Sequence, residues 1–299
     1  MNTSSLPPIS YLRGTCFFLF ILVLTGLPAQ AQEVGPKQGT LLLGGGNLQD
    51  TAIFKRFIEH AGGAEAHIVV IPTAGGQAMY DQYWQGLNVL RRAGAQNLTV
   101  LHTTDPDEAN QPAFYEVIDD ADGVWFSGGR QWRLADSYLN TETHKALWRL
   151  LDRGGIIGGS SAGATIQGSY LARGDTKTNT IMMGDHEEGF AFIKDTAVDQ
   201  HLLQRNRQFD LIEIIEARPE LLGIGLDENT AIVVRGDQFQ VIGQSYVAIY
   251  DHNRMLDSGG LFYFLRPGDL FNLKTREASR PTRSSQPFDR VQEKAWDGQ

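Results

Sequence analysis

Five short apolar runs, each closing on glycine or small polar residues, constrain the fold of this chain more than any other feature. They are residues 40–43 before Gly44-Gly45-Gly46, residues 66–72, residues 98–102, residues 123–126 before Ser127-Gly128-Gly129, and residues 155–157 before Gly158-Gly159-Ser160-Ser161. Several are continuously apolar rather than alternating, the pattern of strands covered by helices on both faces. Helical spacing falls between them at 50–60, 82–93 and 141–152, the last with Thr141 as its expected N-cap. Strands alternating with helices imply an α/β domain with a mainly parallel central sheet, in which ligands collect beyond the carboxyl ends of the strands. The glycine clusters stand at those ends. From residue 221 short β segments follow one another, with turns at Asp227-Glu228-Asn229 and Arg235-Gly236-Asp237. They are expected to form an antiparallel or mixed edge of the same domain.

The first 31 residues read as an export signal. Arg13 gives a positive charge, residues 16–27 form an apolar stretch too short to span a bilayer comfortably, and Ala29-Gln30-Ala31 offers small residues to a signal peptidase. Cleavage after Ala31 would deliver the chain to the periplasm or the medium; an uncleaved membrane anchor is the alternative. Residues 32–274 then form one α/β domain, and 275–299 a polar tail. The single cysteine, Cys16, lies inside the apolar stretch. The mature chain therefore has no thiolate nucleophile, disulfide or cysteine-ligated metal. A formal charge of −9 without a basic tract gives no footprint for nucleic acid or for an anionic membrane after cleavage.

The chemistry centres on Gly159-Ser160-Ser161-Ala162-Gly163-Ala164, which fits G-x-S-x-G between an apolar strand and a run, 165–171, that is compatible with helix. Small residues on both sides let the chain turn tightly and expose the Ser161 hydroxyl. The plain alternative is a glycine-rich turn that only packs a helix on the sheet. A serine needs a base. Of seven histidines, His201, in Val198-Asp199-Gln200-His201, and His186, in Asp185-His186-Glu187-Glu188, remain as candidates. The acidic cluster around His186 could also be drawn as a metal site, although its ligand spacing is poor. The backbone N–H of Ala162 and one from Gly128-Gly129 are candidate oxyanion donors.

Taken with Ser127-Gly128-Gly129-Arg130-Gln131, with Asp199-Gln200-His201 followed by Arg205 and Arg207, and with residues 223–231, these blocks make the chain resemble the cyanophycinase-like serine peptidases and, more distantly, their dipeptidase E relatives. The resemblance covers residues 39–251. It implies a flavodoxin-like sandwich akin to class I glutamine amidotransferases, no cofactor or metal, and exopeptidase cleavage beside an aspartyl residue. In cyanophycinase the substrate is a polyaspartate backbone bearing arginine, released as β-Asp-Arg dipeptides. By resemblance Ser161 is the nucleophile and His201 its base, Gly129 and Ala162 form the oxyanion hole, and Gln131, Asp199, Gln200, Arg205 and Arg207 line the substrate site. The expected partner is a peptide or cyanophycin-like substrate, with a homodimer left open.

Three positions depart from the family pattern. Where cyanophycinase carries a glutamate as third triad member, this chain reads Gly174-Asp175-Thr176-Lys177-Thr178, and Lys177 cannot accept a histidine N–H. Asp175 is the first choice to replace it; Asn179, a carboxylate between Asp185 and Glu188, or a Ser-His dyad are the others. Arg130 replaces an expected aspartate, and Asp210 stands where a further arginine is usual. A dipeptidase unable to accept the polymer and a non-catalytic binding protein on a peptidase fold are the competing readings.

Overall fold

The computed structural model describes residue 1, residues 33–254 and residues 260–281. Apart from residue 1, the expected export signal lies outside the described residues, as does most of the expected tail. The first half of the domain alternates as the apolar runs require: β1 (Thr40–Gly44), α1 (Thr51–Ala61), β2 (His67–Ile71), α2 (Asn88–Ala93), β3 (Asn97–Val100), α3 (Pro106–Ala109), α4 (Pro112–Asp119), β4 (Gly123–Phe126), α5 (Gln131–Tyr138), α6 (Glu142–Asp152) and β5 (Ile156–Ser160). The helices carry their own boundary chemistry. Asp50 accepts the Ala52 N–H at the start of α1, Gly62 ends that helix in the left-handed region, and the Thr141 hydroxyl accepts the His144 N–H at the start of α6.

The second half departs from the expected pattern. Only one helical turn, α7 (Ala162–Thr165), follows the serine, and the run expected to continue as helix becomes β6 (Gly168–Tyr170). Then come β7 (Ile193–Gln200), α8 (Asp210–Ala217), β8 (Leu222–Leu226), β9 (Thr230–Arg235), β10 (Gln238–Gly243), β11 (Val247–Asp251), β12 (Tyr263–Leu265), β13 (Leu270–Asn272) and β14 (Glu277–Ser279). The late segments do not form one edge. β9 and β10 join the first sheet, whose order is β14-β13-β10-β9-β1-β5-β4-β2-β3, whereas β8 and β11 belong to a second, β12-β11-β8-β7-β6. β14 lies inside the stretch expected to be a tail.

Three layers of apolar contact follow from strand alternation, because successive side chains leave a strand on opposite faces. Leu42, Ile68 and Trp125 point to one face of the first sheet and meet Phe54, Phe57 and Leu90 from α1 and α2. Leu41, Leu43, Ile232 and Val234 point to the other face, into a core shared with Val198, Ile224, Val247 and Ile249 of the second sheet. On the far side of that second sheet, Ala197, Ala248 and Tyr250 meet Leu211 and Ile214 of α8. β1, β5, β4, β2 and β3 run parallel, so their carboxyl ends point the same way.

Candidate active site

Ser161 leaves β5 with φ 57° and ψ −116°, a conformation that costs a non-glycine residue about 1–3 kcal/mol. The tight bend is enforced by close approach: a Cβ on Gly159 would stand 2.2 Å from the Gly163 carbonyl oxygen. It is held by a hydrogen bond from the Ser161 N–H to the Gly44 carbonyl, 2.9 Å. The next two carbonyls of the same glycine run take the neighbouring parts of the site. The His201 N–H donates to Gly45 (2.8 Å) and the Asn229 N–H to Gly46 (3.0 Å). The end of β1 is thus a backbone template on which serine, histidine and the turn beside Glu228 are assembled.

On that template the Ser161 Oγ lies 3.0 Å from His201 Nε2, and His201 Nδ1 lies 2.6 Å from Glu228 Oε1. The other Glu228 oxygen accepts from Asn47 Nδ2 at 2.7 Å. Burial works against ionising Glu228, yet the hydrogen bonds from Asn47 and His201 hold its carboxyl below the usual range. It is therefore an acceptor only, which fixes the proton of neutral His201 on Nδ1 and leaves Nε2 to accept from the serine hydroxyl. Burial of the imidazole, aided by Arg205 and Arg207, lowers the His201 pKa from its ordinary value against the pull of Glu228. A neutral imidazole in this tautomer, hydrogen-bonded to a hydroxyl on a strained turn, can act as a general base.

Asp175 does not occupy the third position. Its Oδ1 accepts the N–H groups of Lys177 (2.9 Å) and Thr178, closing its own turn, and Glu228 is the carboxylate on His201 instead. Nor does His186 approach the serine: it bonds Asp136 at 2.7 Å and faces Asp185. Among the described residues no group of His, Cys, Asp and Glu is gathered to hold a metal ion.

The serine and histidine open on a cleft of about 330 Å³ lined by Asn47, Gly128, Gly129, Ser160, Asn179, Gln200 and Arg205. Of the five residues expected to line a substrate site, Gln200 and Arg205 do so. The other three are enclosed. Gln131 is buried and donates to the Ala172 and Arg173 carbonyls. Arg207 is buried against Gln200, donating to its carbonyl and side-chain oxygens at 3.1 Å. Asp199 is fully buried and paired with Arg173. Gly129 lines the cleft, and Ala162 is buried at the turn directly after the nucleophile. The sequence offered a signal for Glu228, since it sits among the family-like residues 223–231, but as part of an Asp-Glu-Asn cluster it reads as turn chemistry. Asn47 and Arg173 carried no signal of their own.

The model of peptidase family S51 matches residues 40–242. The cyanophycinase of Geminocystis herdmanii (strain PCC 6308) is 28% identical over 263 residues, covering 81% of this chain and 96% of that protein. The cyanophycinase of Thermosynechococcus vestitus (strain NIES-2133 / IAM M-273 / BP-1) is 30% identical over 270 residues, covering 82% of each. Among solved structures, a peptidase from an acI-B1 Actinobacterium superposes with a TM-score of 0.63 at 27% identity, covering 80% of this chain and 98% of that one. A putative peptidase E from Listeria monocytogenes EGD-e shares the fold, with a TM-score of 0.51 at 18% identity over 69% of this chain and 99% of that one. The expected α/β sandwich with a mainly parallel central sheet is the fold these neighbours have.

Proposed function

The chain belongs to peptidase family S51 and is a serine-type peptidase, and on that premise we propose that it is an exported exopeptidase that cleaves aspartyl peptides through an acyl-enzyme formed on Ser161. The observation that carries this reading is the continuous hydrogen-bonded chain Ser161–His201–Glu228 at the wall of an open cleft.

Ser161 Oγ attacks the scissile carbonyl carbon while its proton passes to His201 Nε2, and the Glu228 carboxylate stabilises the imidazolium that forms. Charge moves to the carbonyl oxygen, where the N–H groups of Gly129 and Ala162 are the donors. Collapse breaks the C–N bond, and His201 returns its proton to the leaving amine. A water, deprotonated by the same imidazole, then attacks the ester and frees Ser161. Arg205, exposed at the rim, supplies a cation for a substrate carboxylate, which a guanidinium can grip in bidentate fashion. The relatives named cyanophycinase support an aspartyl substrate, with β-Asp-Arg units and simpler aspartyl dipeptides as the two forms to be told apart.

Ser161→Ala is expected to abolish hydrolysis of β-aspartyl dipeptides with circular dichroism unchanged, and a serine-directed phosphonate is expected to label Ser161 of the parent protein. Retained turnover in the alanine variant would remove the assignment. Export is tested separately: protein recovered from outside the cytoplasm of a bacterial host should begin at Gln32.

A further inference from the structure

Arg130 closes the link between β4 and α5, directly after Gly129, and Gln131 opens that helix. Both side chains reach across to the main chain of the segment that follows β6. Gln131 Nε2 donates to the Ala172 and Arg173 carbonyls, at 2.7 and 2.9 Å. One Nη of Arg130 donates to the carbonyls of Asp175 and Thr178. No carboxylate among the described residues forms an ion pair with Arg130, so its charge is directed at these two carbonyls. One residue further on, the Asn179 carbonyl accepts from Arg173 at 2.9 Å, and Asn179 is itself a wall of the cleft.

The segment has little else to hold it in place. Between buried Asp175 and buried Met182 every residue is exposed or half-buried. A stretch with so few apolar contacts is placed by its hydrogen bonds. Most of these close the loop on itself: Asp175 Oδ1 accepts from Lys177 and Thr178, the Thr178 hydroxyl accepts from the Thr180 and Ile181 N–H groups, and Thr176 donates to Asp185. They fix its shape. Its position relative to the cleft depends on the two arginines, whose charge-assisted bonds are the stronger kind. The aspartate expected at position 130 can only accept, and so could not bind two carbonyls. The side-chain amide of Asn179 has no hydrogen-bond partner among the described residues, which leaves it free for a ligand in the cleft it borders.

We propose that Arg130 is a positioning residue of this cleft: it fastens the segment 175–179 to the link that carries Gly129, and so holds Asn179 where its side-chain amide meets a bound substrate. The inference rests on the peptidase reading and deepens it, adding a neutral contact to the cation of Arg205. The backbone of the link is anchored separately. The Arg130 N–H donates to the Ala74 carbonyl at 2.8 Å, and Gly129 packs so closely on that carbonyl that a Cβ would stand 2.0 Å from its oxygen. Loss of the guanidinium therefore loosens the wall and spares the oxyanion donor, so it falls on substrate binding rather than on the chemical step.

The test measures steady-state kinetics on the better substrate of β-aspartyl-arginine and β-aspartyl-leucine. Arg130→Met and Asn179→Ala are each expected to raise KM by about fivefold, the scale of one net hydrogen bond, with kcat within about twofold of the parent's. Because Arg130 acts through Asn179, the double variant should show about the same fivefold rise; a rise of about 25-fold would mark two independent effects and overturn the proposal. Hydrogen exchange read by mass spectrometry should show protection lost over residues 175–181 of Arg130→Met and kept over 127–129. Exchange like the parent's in that segment overturns the proposal, as does a loss in kcat without one in KM. Asn179→Ala with the parent's KM overturns it too, even if Arg130→Met does not fold. A parent that hydrolyses neither dipeptide falls instead on the peptidase reading, while the exchange measurement, which needs no turnover, still tests what Arg130 holds.

Discussion

At the scale of residues the site turns on which carboxylate meets His201. Glu228, ionised and bonded to Nδ1, selects the tautomer that can take the serine proton. Glu228→Gln would offer an amide N–H to Nδ1 and drive the ring proton to Nε2, where it blocks proton abstraction. A comparable swap in a Ser-His-Asp triad costs on the order of 10⁴-fold in kcat. A loss of this order is expected here in steady-state hydrolysis, whereas Asp175→Asn should leave turnover close to the parent's, because that carboxylate serves only its own turn. The opposite ranking would restore Asp175 to the triad. The base also predicts a pH profile. Because burial and the neighbouring arginines lower the His201 pKa, kcat/KM should rise with pH through a midpoint below the ordinary histidine value and be level by neutrality; a midpoint above that value would contradict the placement. Ser161 was legible in the sequence because the glycine-flanked bend is a local pattern, whereas the residues alone left His201 and His186 both open and only the family resemblance chose His201. Glu228 was not legible, since a glutamate in a turn announces the turn, and only the fold brings it 27 positions back to the imidazole.

At the scale of elements, the end of β1 has more to do than form a strand. Gly44, Gly45 and Gly46 give their carbonyls to the backbone of Ser161, His201 and Asn229 in turn. Gly46 does this at φ 112°, with the His201 ring so close that a Cβ would come within 2.2 Å of it. Gly46→Ala must therefore strain the backbone, displace the imidazole, or both. Displacing a reacting group by about 1 Å is worth about a hundredfold in rate, and a kcat loss of that order is expected while near-UV circular dichroism keeps its native form. A fully active alanine variant would mean that the ring has room the structure does not show. The sequence marked this glycine run, the four other parallel strands and the capped helix α6, all of which show in a local pattern of residue types. It failed at residues 165–171, where the residues suit a helix but the chain turns after one turn to supply β6. Pairing of β6 with β7 in the second sheet overrides local preference there.

At the scale of the whole molecule, the triad is divided between two sheets. Ser161 follows β5 of the first, His201 follows β7 of the second, and Glu228 stands in the link from β8 of the second to β9 of the first. This arrangement was hidden from the sequence, because β8 to β11 look like one series of hairpins and nothing local says which strand goes to which sheet. The expected consequence is that the core between the sheets, together with the carbonyls at the end of β1, holds nucleophile and base at their distance more directly than the core under α1 and α2. Two truncations separate these roles. Ile224 lies in the shared core and Ile68 in the layer against α1 and α2, and both are fully buried. Replacing either by alanine should cost about 2–5 kcal/mol in urea unfolding, as buried isoleucines do. Only Ile224→Ala should also lower kcat at a temperature where both variants are folded, because the cavity it leaves lets the second sheet relax toward the first and moves His201 relative to Ser161. Equal kcat losses in the two variants would show that general loosening is responsible, and the packing between the sheets would then have no special claim on the geometry of the triad.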